Sequence, residues 1–419
     1  MKKLILLPVL VLLALSVTAQ SGRNVIWQHG LGGDAGFWSN FARQFQLERK
    51  MRSTNNEVGT SSGVVDMTSE MVFATSAASG SNTIGIGHSM GGVAMRELSG
   101  REAPGHVGGI ITVGAPLNGA KIANNLIDGS VDAYISHGVR ELLKGPRRSF
   151  GISYEIIFAL GESYTGRKLH EILIDKLGID DKILALGTDQ SVIDLAENSD
   201  YMVSAQRLNP RIPKVSIYGT EMSPVHYRLA SSFSGFEDHE IPDLIRNASG
   251  VYNNFATGWS IVGGILGWRI ASGWRAGRNF LDNSSEAGWN HLIGATRTET
   301  FSFCFQRLSC DPNFYWPTCV YGNPTPAELA DCRNCYTQVC DRYTRTISEP
   351  TDGLLHTSTQ TGAQPPIGNN GSQWAPTATY ESMNTNHSEF KNHANTHRIL
   401  KDLFSQTRGT LSYFNVPVR

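Results

Sequence analysis

The sequence lacks any surplus of charge of one sign. Its 36 Lys and Arg nearly balance its 37 Asp and Glu, which gives a formal net charge of −1, and charged residues make up only 17% of the chain. A balanced charge provides no broad electrostatic attraction to nucleic acid or to acidic lipid. We therefore do not expect nucleic acid as a partner, and we look for a substrate recognised by a local site.

The sequence also lacks an N-terminal apolar run long enough for a comfortable membrane span, which needs about 20 residues. Residues 4–15 are apolar, follow Lys2 and Lys3, and precede the small residues Val17-Thr18-Ala19. This order is typical of a secretory signal peptide. We predict that residues 1–19 are removed on export and that the protein is periplasmic, cell-surface or secreted, with an uncleaved anchor as the alternative. No cysteine follows the run, so a lipoprotein anchor is not expected.

Cysteine is absent outside one short stretch of the chain. The even number and the expected oxidising compartment favour three disulfides that staple a local subdomain, with the pairing left open. The spacing of Cys332-x-x-Cys335 also fits zinc ligands, and this is the alternative. The six residues are Cys304, Cys310, Cys319, Cys332, Cys335 and Cys340.

Short apolar segments alternate with helix-like segments in the first part of the chain. Strands are expected at 24–28, 82–86 and 109–113, and Phe37, Phe41 and Phe45 recur at helical spacing between the first two. Asp66 is expected to cap a further helix. Such alternation predicts a parallel sheet with crossover helices, in the α/β class.

The alternation stops twice and then resumes. Strand character returns at 214–219, and residues 393–406 resemble a final helix. We therefore predict one domain over residues 20–419 that contains two insertions. The first, 120–210, is expected to form a helical lid or cap, and the second, 221–348, a helical, cysteine-rich subdomain.

The segment Gly87-His88-Ser89-Met90-Gly91 is a G-x-S-x-G sequence set between an expected strand and an expected helix. In this context the motif predicts a nucleophilic serine held on a sharp turn at the carboxyl edge of a sheet. Ser89 is the candidate nucleophile. Acyl transfer creates an oxyanion that needs two aimed N–H donors, and we assign these to the backbones of Met90 and Leu31.

A serine nucleophile needs a histidine that accepts its proton and a carboxylate that orients the histidine. His387 follows a loop and precedes the last helix, so it is the candidate base, ahead of His356, His393 and His397. Asp352 is the candidate acid because it is expected at a late strand end and completes the chain order Ser, Asp, His. The alternatives for the acid are Glu221 and Asp238, and Asp352 could instead be a turn residue of an Asp-Gly pair.

The chain resembles the α/β-hydrolase superfamily, and within it the bacterial triacylglycerol lipases and lipid esterases such as GPI inositol deacylases. The resemblance implies an α/β-hydrolase fold, a Ser–Asp–His triad, a mobile lid and carboxylic ester substrates. One departure is that Leu117-Asn118 follows Pro116 where lipases carry an aromatic residue or a histidine, which affects the expected entry to the lid. The motifs that carry the resemblance are residues 27–33, 87–92, 112–116, 352–355 and 386–389.

These residues favour an exported lipase or esterase that cleaves small-molecule or lipid esters through an acyl-enzyme. The alternatives are an amidase, a peptidase or an acyltransferase with the same triad, and a non-catalytic surface-binding domain. No cofactor and no metal are expected, since Asn384, Asn386 and Glu389 show no spacing diagnostic of calcium. The apolar stretch 252–275 is interpreted as a packing helix, with transient contact to a lipid surface as the alternative.

Overall fold

A computed structural model describes residues 22–150, 189–205, 207–234, 239–308, 325–327, 330, 336–363 and 374–419. The expected signal peptide and the cysteines at 310, 319, 332 and 335 lie outside the described residues. The chain divides into two units, one formed by Met1–Ala295 with Glu349–Arg419 and one formed by Thr296–Ser348.

The first unit is built on a six-stranded sheet in which every neighbouring pair of strands is parallel. Its strand order is β2-β1-β3-β4-β5-β8, whereas β6 and β7 pair with each other in the second unit. The described strands are β1 Arg23–Gln28, β2 Met51–Asn55, β3 Gly80–His88, β4 Val107–Val113, β5 Lys214–Thr220, β6 Thr296–Leu308, β7 Tyr336–Ser348 and β8 Ala378–Met383.

Helices connect strands of the sheet and occur in the described parts of both interruptions. The described helices are α1 Ser39–Glu48, α2 Val64–Ala74, α3 Met90–Glu97, α4 Lys121–Ile127, α5 Ser130–Phe150, α6 Gln190–Leu195, α7 Asp200–Ala205, α8 Val225–Ser234, α9 Glu240–Val262, α10 Gly264–Asn279, α11 Ser285–Leu292, α12 Thr357–Thr361 and α13 Ala394–Leu403. The sequence predicts that Asp66 caps α2, and this prediction is wrong. Asp66 lies in the first turn, and Gly63 occupies the capping position.

The sheet is covered on both faces because successive side chains of a strand point to opposite sides. Val25 and Trp27 of β1 belong to one buried cluster, which includes Phe45 of α1 and Leu400 of α13. Ile26, between them, belongs to the other cluster, together with residues of α2 and α3. The fully buried strands therefore consist mainly of apolar residues on both faces, which is typical of a parallel sheet between helical layers.

The described part of the first predicted insertion, 120–210, is helical and comprises α4 to α7. The second, 221–348, differs from its prediction. Helices α8 to α11 occupy residues 225–292, but the described part of the remainder also contains the long antiparallel pair β6–β7, which lies in the separate second unit. The backbone register sets Cys304 opposite Cys340.

Candidate active site

Ser89 lies at the sharp turn between β3 and α3, as the motif predicts. Its backbone has φ 52° and ψ −130°, a left-handed conformation that is strained for a residue with a side chain. The strain is compatible with close packing around the turn. A Cβ on Gly91 would overlap the His29 carbonyl oxygen, and one on Gly87 would overlap the Gly91 carbonyl oxygen. The two motif glycines thus let β1, β3 and α3 approach closely enough to hold Ser89 at the sheet edge.

His387 is the histidine that contacts Ser89. It lies in the loop between β8 and α13, and its Nε2 is 2.9 Å from Ser89 Oγ. Its backbone is fixed from both sides, because its N–H donates to the Asp352 carbonyl at 2.8 Å and its own carbonyl accepts a bond from His88 Nε2 at 2.9 Å. His387 is 4% exposed, whereas Ser89 is only half-buried, so part of the serine remains accessible to a substrate.

Asp352 is the carboxylate that contacts His387. It is fully buried, and its Oδ2 lies 2.7 Å from His387 Nδ1. Its Oδ1 accepts the backbone N–H groups of Leu354 at 3.0 Å and Leu355 at 2.7 Å. An ionised carboxylate only accepts hydrogen bonds, so His387 Nδ1 carries the proton in this arrangement and Nε2 is free to accept one from Ser89.

The sequence places Asp352 at a late strand end, and along the chain it follows β7, which ends at Ser348. Asp352 lies in a turn closed by an isolated bridge between Thr351 and His356. It is also beside the carboxyl end of β5, because a Cβ on Gly219 would be 2.9 Å from the Asp352 Cβ. The alternative acid Glu221 pairs with Arg228 at 2.6 Å, and Asp238 lies outside the described residues.

The other candidate histidines have different neighbours. His356 Nδ1 lies 2.9 Å from Ser358 Oγ and 3.4 Å from a Glu349 carboxylate oxygen. His393 is the N-cap of α13 and accepts the Asn395 N–H. His397 stacks on Phe45 with ring centroids 4.7 Å apart.

The two assigned oxyanion donors belong to chain segments that lie next to Ser89. Met90 is the first residue of α3, and the first N–H groups of a helix have no acceptor within the helix. Leu31 lies in the loop after β1, and that loop touches the serine, since a Cβ on Gly30 would be 2.6 Å from Ser89 Cβ. Strands β1 and β3 are neighbours whose chains continue to opposite sides of the sheet, to β2 and to β4. Such a divergence opens a crevice at the carboxyl ends of the strands, where ligands bind in open α/β sheets.

His88 is a positioning residue that the sequence reasoning did not single out. Besides its bond to the His387 carbonyl, it stacks on Phe37 with ring centroids 4.4 Å apart. Burial, aided by the charge of neighbouring His387, lowers its pKa well below the ordinary value, so His88 is neutral with its proton on Nε2. Its place directly before the serine in the motif was the available signal.

A polar network ties the His387 loop to helix α8. Asn386 Nδ2 donates to Ser232 Oγ at 2.7 Å, Ser232 Oγ donates to Glu389 Oε1 at 3.1 Å, and the Asn386 N–H donates to Glu389 Oε2 at 3.2 Å. Asn386 and Glu389, weighed above as calcium ligands, thus bond to each other. Among the described residues, no group of three His, Cys, Asp or Glu is placed to hold a metal ion.

Partly exposed apolar side chains lie around the site. Leu31, Trp289 and Leu354 all pack against the buried cluster that contains Met90. Trp289 belongs to α11 in the second insertion, and its Nε1 donates to the Gly353 carbonyl at 2.7 Å, next to Asp352. The insertion therefore contributes an aromatic residue close to the Ser89–His387–Asp352 chain, which the sequence analysis did not identify.

No family model and no curated protein sequence matches the chain. Solved structures that it resembles in part include a lipase from Bacillus licheniformis (TM-score 0.30, 13% identity, 49% of this chain and 69% of that one). An esterase from Exiguobacterium antarcticum (TM-score 0.29, 16% identity, 48% and 74%) and one from a Rhodococcus species (TM-score 0.28, 16% identity, 48% and 74%) are further examples.

Proposed function

We propose that this protein is a serine hydrolase that cleaves carboxylic esters with an apolar acyl group through an acyl-enzyme. The observation that carries the proposal is the continuous hydrogen-bonded chain from Ser89 Oγ to His387 Nε2, at 2.9 Å, and from His387 Nδ1 to Asp352, at 2.7 Å. Serine alone is a weak nucleophile, and this arrangement supplies both the proton acceptor and the group that orients it.

In the first half-reaction Ser89 Oγ forms a bond to the ester carbonyl carbon while its proton moves to His387 Nε2. The carbonyl electron pair moves to the oxygen, and the buried Asp352 carboxylate stabilises the imidazolium. When the carbonyl re-forms, the bond to the alcohol oxygen breaks, and the leaving alcohol takes the proton from Nε2. The acyl group is then held on Ser89.

In the second half-reaction water repeats the path of the serine. Its proton passes to His387 Nε2, its oxygen bonds to the acyl carbon, and Ser89 leaves with the returned proton as the carboxylic acid is released. Both tetrahedral intermediates carry an oxyanion, for which the N–H groups of Met90 and Leu31 are the proposed donors. Each such donor is worth roughly a hundredfold or more in rate.

The preference for an apolar acyl group is supported by the surroundings of Ser89. Leu31 follows Gly30, which lies against Ser89, while the Leu354 N–H bonds to Asp352 and Trp289 bonds to Gly353; all three side chains are apolar and partly exposed. An acyl chain gains free energy when it leaves water for such a surface. Residues 1–19 have the order of a signal peptide, so we also propose that the enzyme acts after export. A mature N-terminus at Gln20, measured by mass spectrometry of protein from an exporting host, is the expected result.

The test is hydrolysis of p-nitrophenyl esters from acetate to palmitate by the wild type, Ser89→Ala and His387→Gln. We expect activity that rises with acyl length and falls by about 10³-fold or more in each variant. Labelling of the wild type, but not of Ser89→Ala, by a fluorophosphonate checks the nucleophile separately. Labelling without ester hydrolysis would indicate amide or acyl-transfer chemistry. If the wild type is not labelled and also hydrolyses none of the esters, the proposed catalytic role is contradicted.

A further inference from the structure

Helices α9 and α10 form an antiparallel hairpin in the second insertion. The turn between them consists of Gly263 and Gly264, with φ values of 74° and 64° that suit glycine. Two bonds hold the helices side by side. Arg275 Nη2 donates to Ser260 Oγ at 2.6 Å and Arg278 Nη1 donates to Asn253 Oδ1 at 2.8 Å.

The stem of this hairpin is packed. Trp274 is 4% exposed, stacks on Phe255 with ring centroids 4.5 Å apart, and belongs to a buried cluster with Ala256 and Ile270. The stem also contacts α5, because Arg148 Nη1 donates to the Arg269 carbonyl at 3.1 Å.

The hairpin tip, defined here as residues 261–268, is apolar and faces solvent. The exposed fractions of its large side chains are 79% for Ile261, 71% for Val262, 89% for Ile265, 70% for Leu266 and 67% for Trp268. Single exposed apolar residues are ordinary on a protein surface, but a contiguous group of this kind marks an interaction surface. The α9–α10 stretch is therefore more than the packing helix that periodicity favours.

The charges next to the tip have one sign. Between Asp243 and Asp282 the sequence contains no Asp or Glu but contains four arginines. Arg246 and Arg278 pair with Asp243 and Asp282, at 2.5 and 3.1 Å, so Arg269 and Arg275 are the arginines nearer the tip. Arg269 follows Ile265 by four residues, which is about 6 Å along a helix axis. Arg148 lies beside Arg269. This local positive charge, from Arg148, Arg269 and Arg275, coexists with a net charge of −1 for the whole chain.

We propose that the hairpin tip inserts into the surface of a phospholipid bilayer that carries anionic headgroups. Apolar side chains on an interfacial element bury about 5–10 Å deep, which matches the distance from the tip to the arginines. Arg148 and Arg269 then lie at the level of the phosphates, and Trp268 lies where an aromatic ring with a polar N–H is favoured. Within the described part of the chain no helix is long and apolar enough to cross a membrane, so the contact is with one leaflet.

Vesicle sedimentation tests the proposal without relying on the proposed catalysis. The protein is purified from an exporting host in a Ser89→Ala background and mixed with vesicles of phosphatidylcholine, with or without phosphatidylglycerol. We expect binding that needs phosphatidylglycerol and that falls more than about tenfold when Ile265→Ser and Leu266→Ser are combined. Arg269→Gln should lower binding about fivefold. The matched control Phe73→Ser, which removes a side chain 82% exposed elsewhere, should leave binding unchanged.

Several results would overturn the proposal. These are no binding by the starting protein, equal binding to vesicles without phosphatidylglycerol, or an equal loss in the Phe73→Ser control. If the tip substitutions instead convert a dimer to a monomer in analytical ultracentrifugation, a second copy of the chain covers the tip. If the tip resists protease only while residues 151–188 are intact, the tip contacts that segment of the same chain, and the bilayer proposal is wrong. Unchanged melting of the tip variant, expected for such exposed side chains, excludes misfolding as the cause.

Discussion

Replacing Asp352 with Asn should abolish most of the activity while leaving the fold intact. The two backbone N–H groups of Leu354 and Leu355 both donate to Oδ1, at 3.0 and 2.7 Å. An Asn side chain can satisfy them only by placing its carbonyl oxygen there. Its NH₂ group then faces His387 Nδ1, which must accept a hydrogen bond rather than donate one.

This orientation fixes the wrong imidazole tautomer. With Nδ1 unprotonated, Nε2 carries the proton and can no longer take one from Ser89 Oγ at 2.9 Å. The equivalent change in a serine protease lowers kcat by about 10⁴-fold, which corresponds to roughly 5 kcal/mol of activation free energy. We expect a loss of the same order here, since the geometry of the acceptor and donor pairs is of the same type.

The assay is kcat for the best p-nitrophenyl ester, together with thermal unfolding of each variant. Asp352→Asn should melt within a few degrees of the wild type, whereas Asp352→Ala should be less stable because it leaves two buried N–H groups unpaired. A kcat for Asp352→Asn within tenfold of the wild type would refute the assignment of Asp352 as the orienting carboxylate.

The remaining predictions concern the turn, the positioning residue and acid stability. Gly91→Ala should destabilise the fold by about 1–3 kcal/mol or more in urea unfolding because its methyl group overlaps a backbone oxygen, whereas Gly250→Ala, with open space around it, should not; equal stabilities would contradict this. His88→Ala should lower kcat about tenfold with little change in KM by freeing the His387 carbonyl, and His88→Gln, which can donate the same bond, should restore part of it; no difference between the two variants would count against the role. Burial lowers the pKa of His226 to about 3 from 6.5, so the folded protein holds this histidine neutral. Protonation of the unfolded chain then lowers the free energy of unfolding by about 2 kcal/mol between pH 7 and pH 5. His226→Phe should reduce this pH dependence of the free energy of unfolding, and an unchanged pH dependence would contradict the role of His226.

The sequence predicted the centre of the sheet well because those strands are buried on both faces. β1, β3, β4 and β5 each contain buried apolar residues, such as Val25, Ile84, Ile110 and Val215, and each was expected near its observed place. The edge strands β2 and β8 were not expected. Their sequences, Met51–Asn55 and Ala378–Met383, are mostly polar and half-exposed, so they carry little periodic signal.

The candidate site was predictable where the chemistry demands a residue type at a fixed place in the chain. Ser89, His387 and Asp352 come together in the structure, and the residues around them follow from packing alone. His88, Ser232 and Trp289 act through contacts with residues at least 64 positions away. No local pattern specifies such pairs. The strands β6 and β7 were not predicted for a related reason. They pair with each other although residues 309–335 separate them in the sequence, so no local pattern indicates the pairing.

The neck of the second unit has a consequence for how this protein can change. The Glu349 N–H donates to the Ala295 carbonyl at 2.8 Å, and both residues belong to the first unit. The chain therefore leaves and re-enters the first unit at neighbouring residues, so residues 296–348 form an insertion whose two ends are hydrogen-bonded to each other through the first unit. Insertions are best tolerated where the two chain ends meet. A short turn that joins residue 295 to residue 349 should leave the position of Asp352 unchanged. Inserted segments of other lengths should be accepted at the same place without moving Asp352.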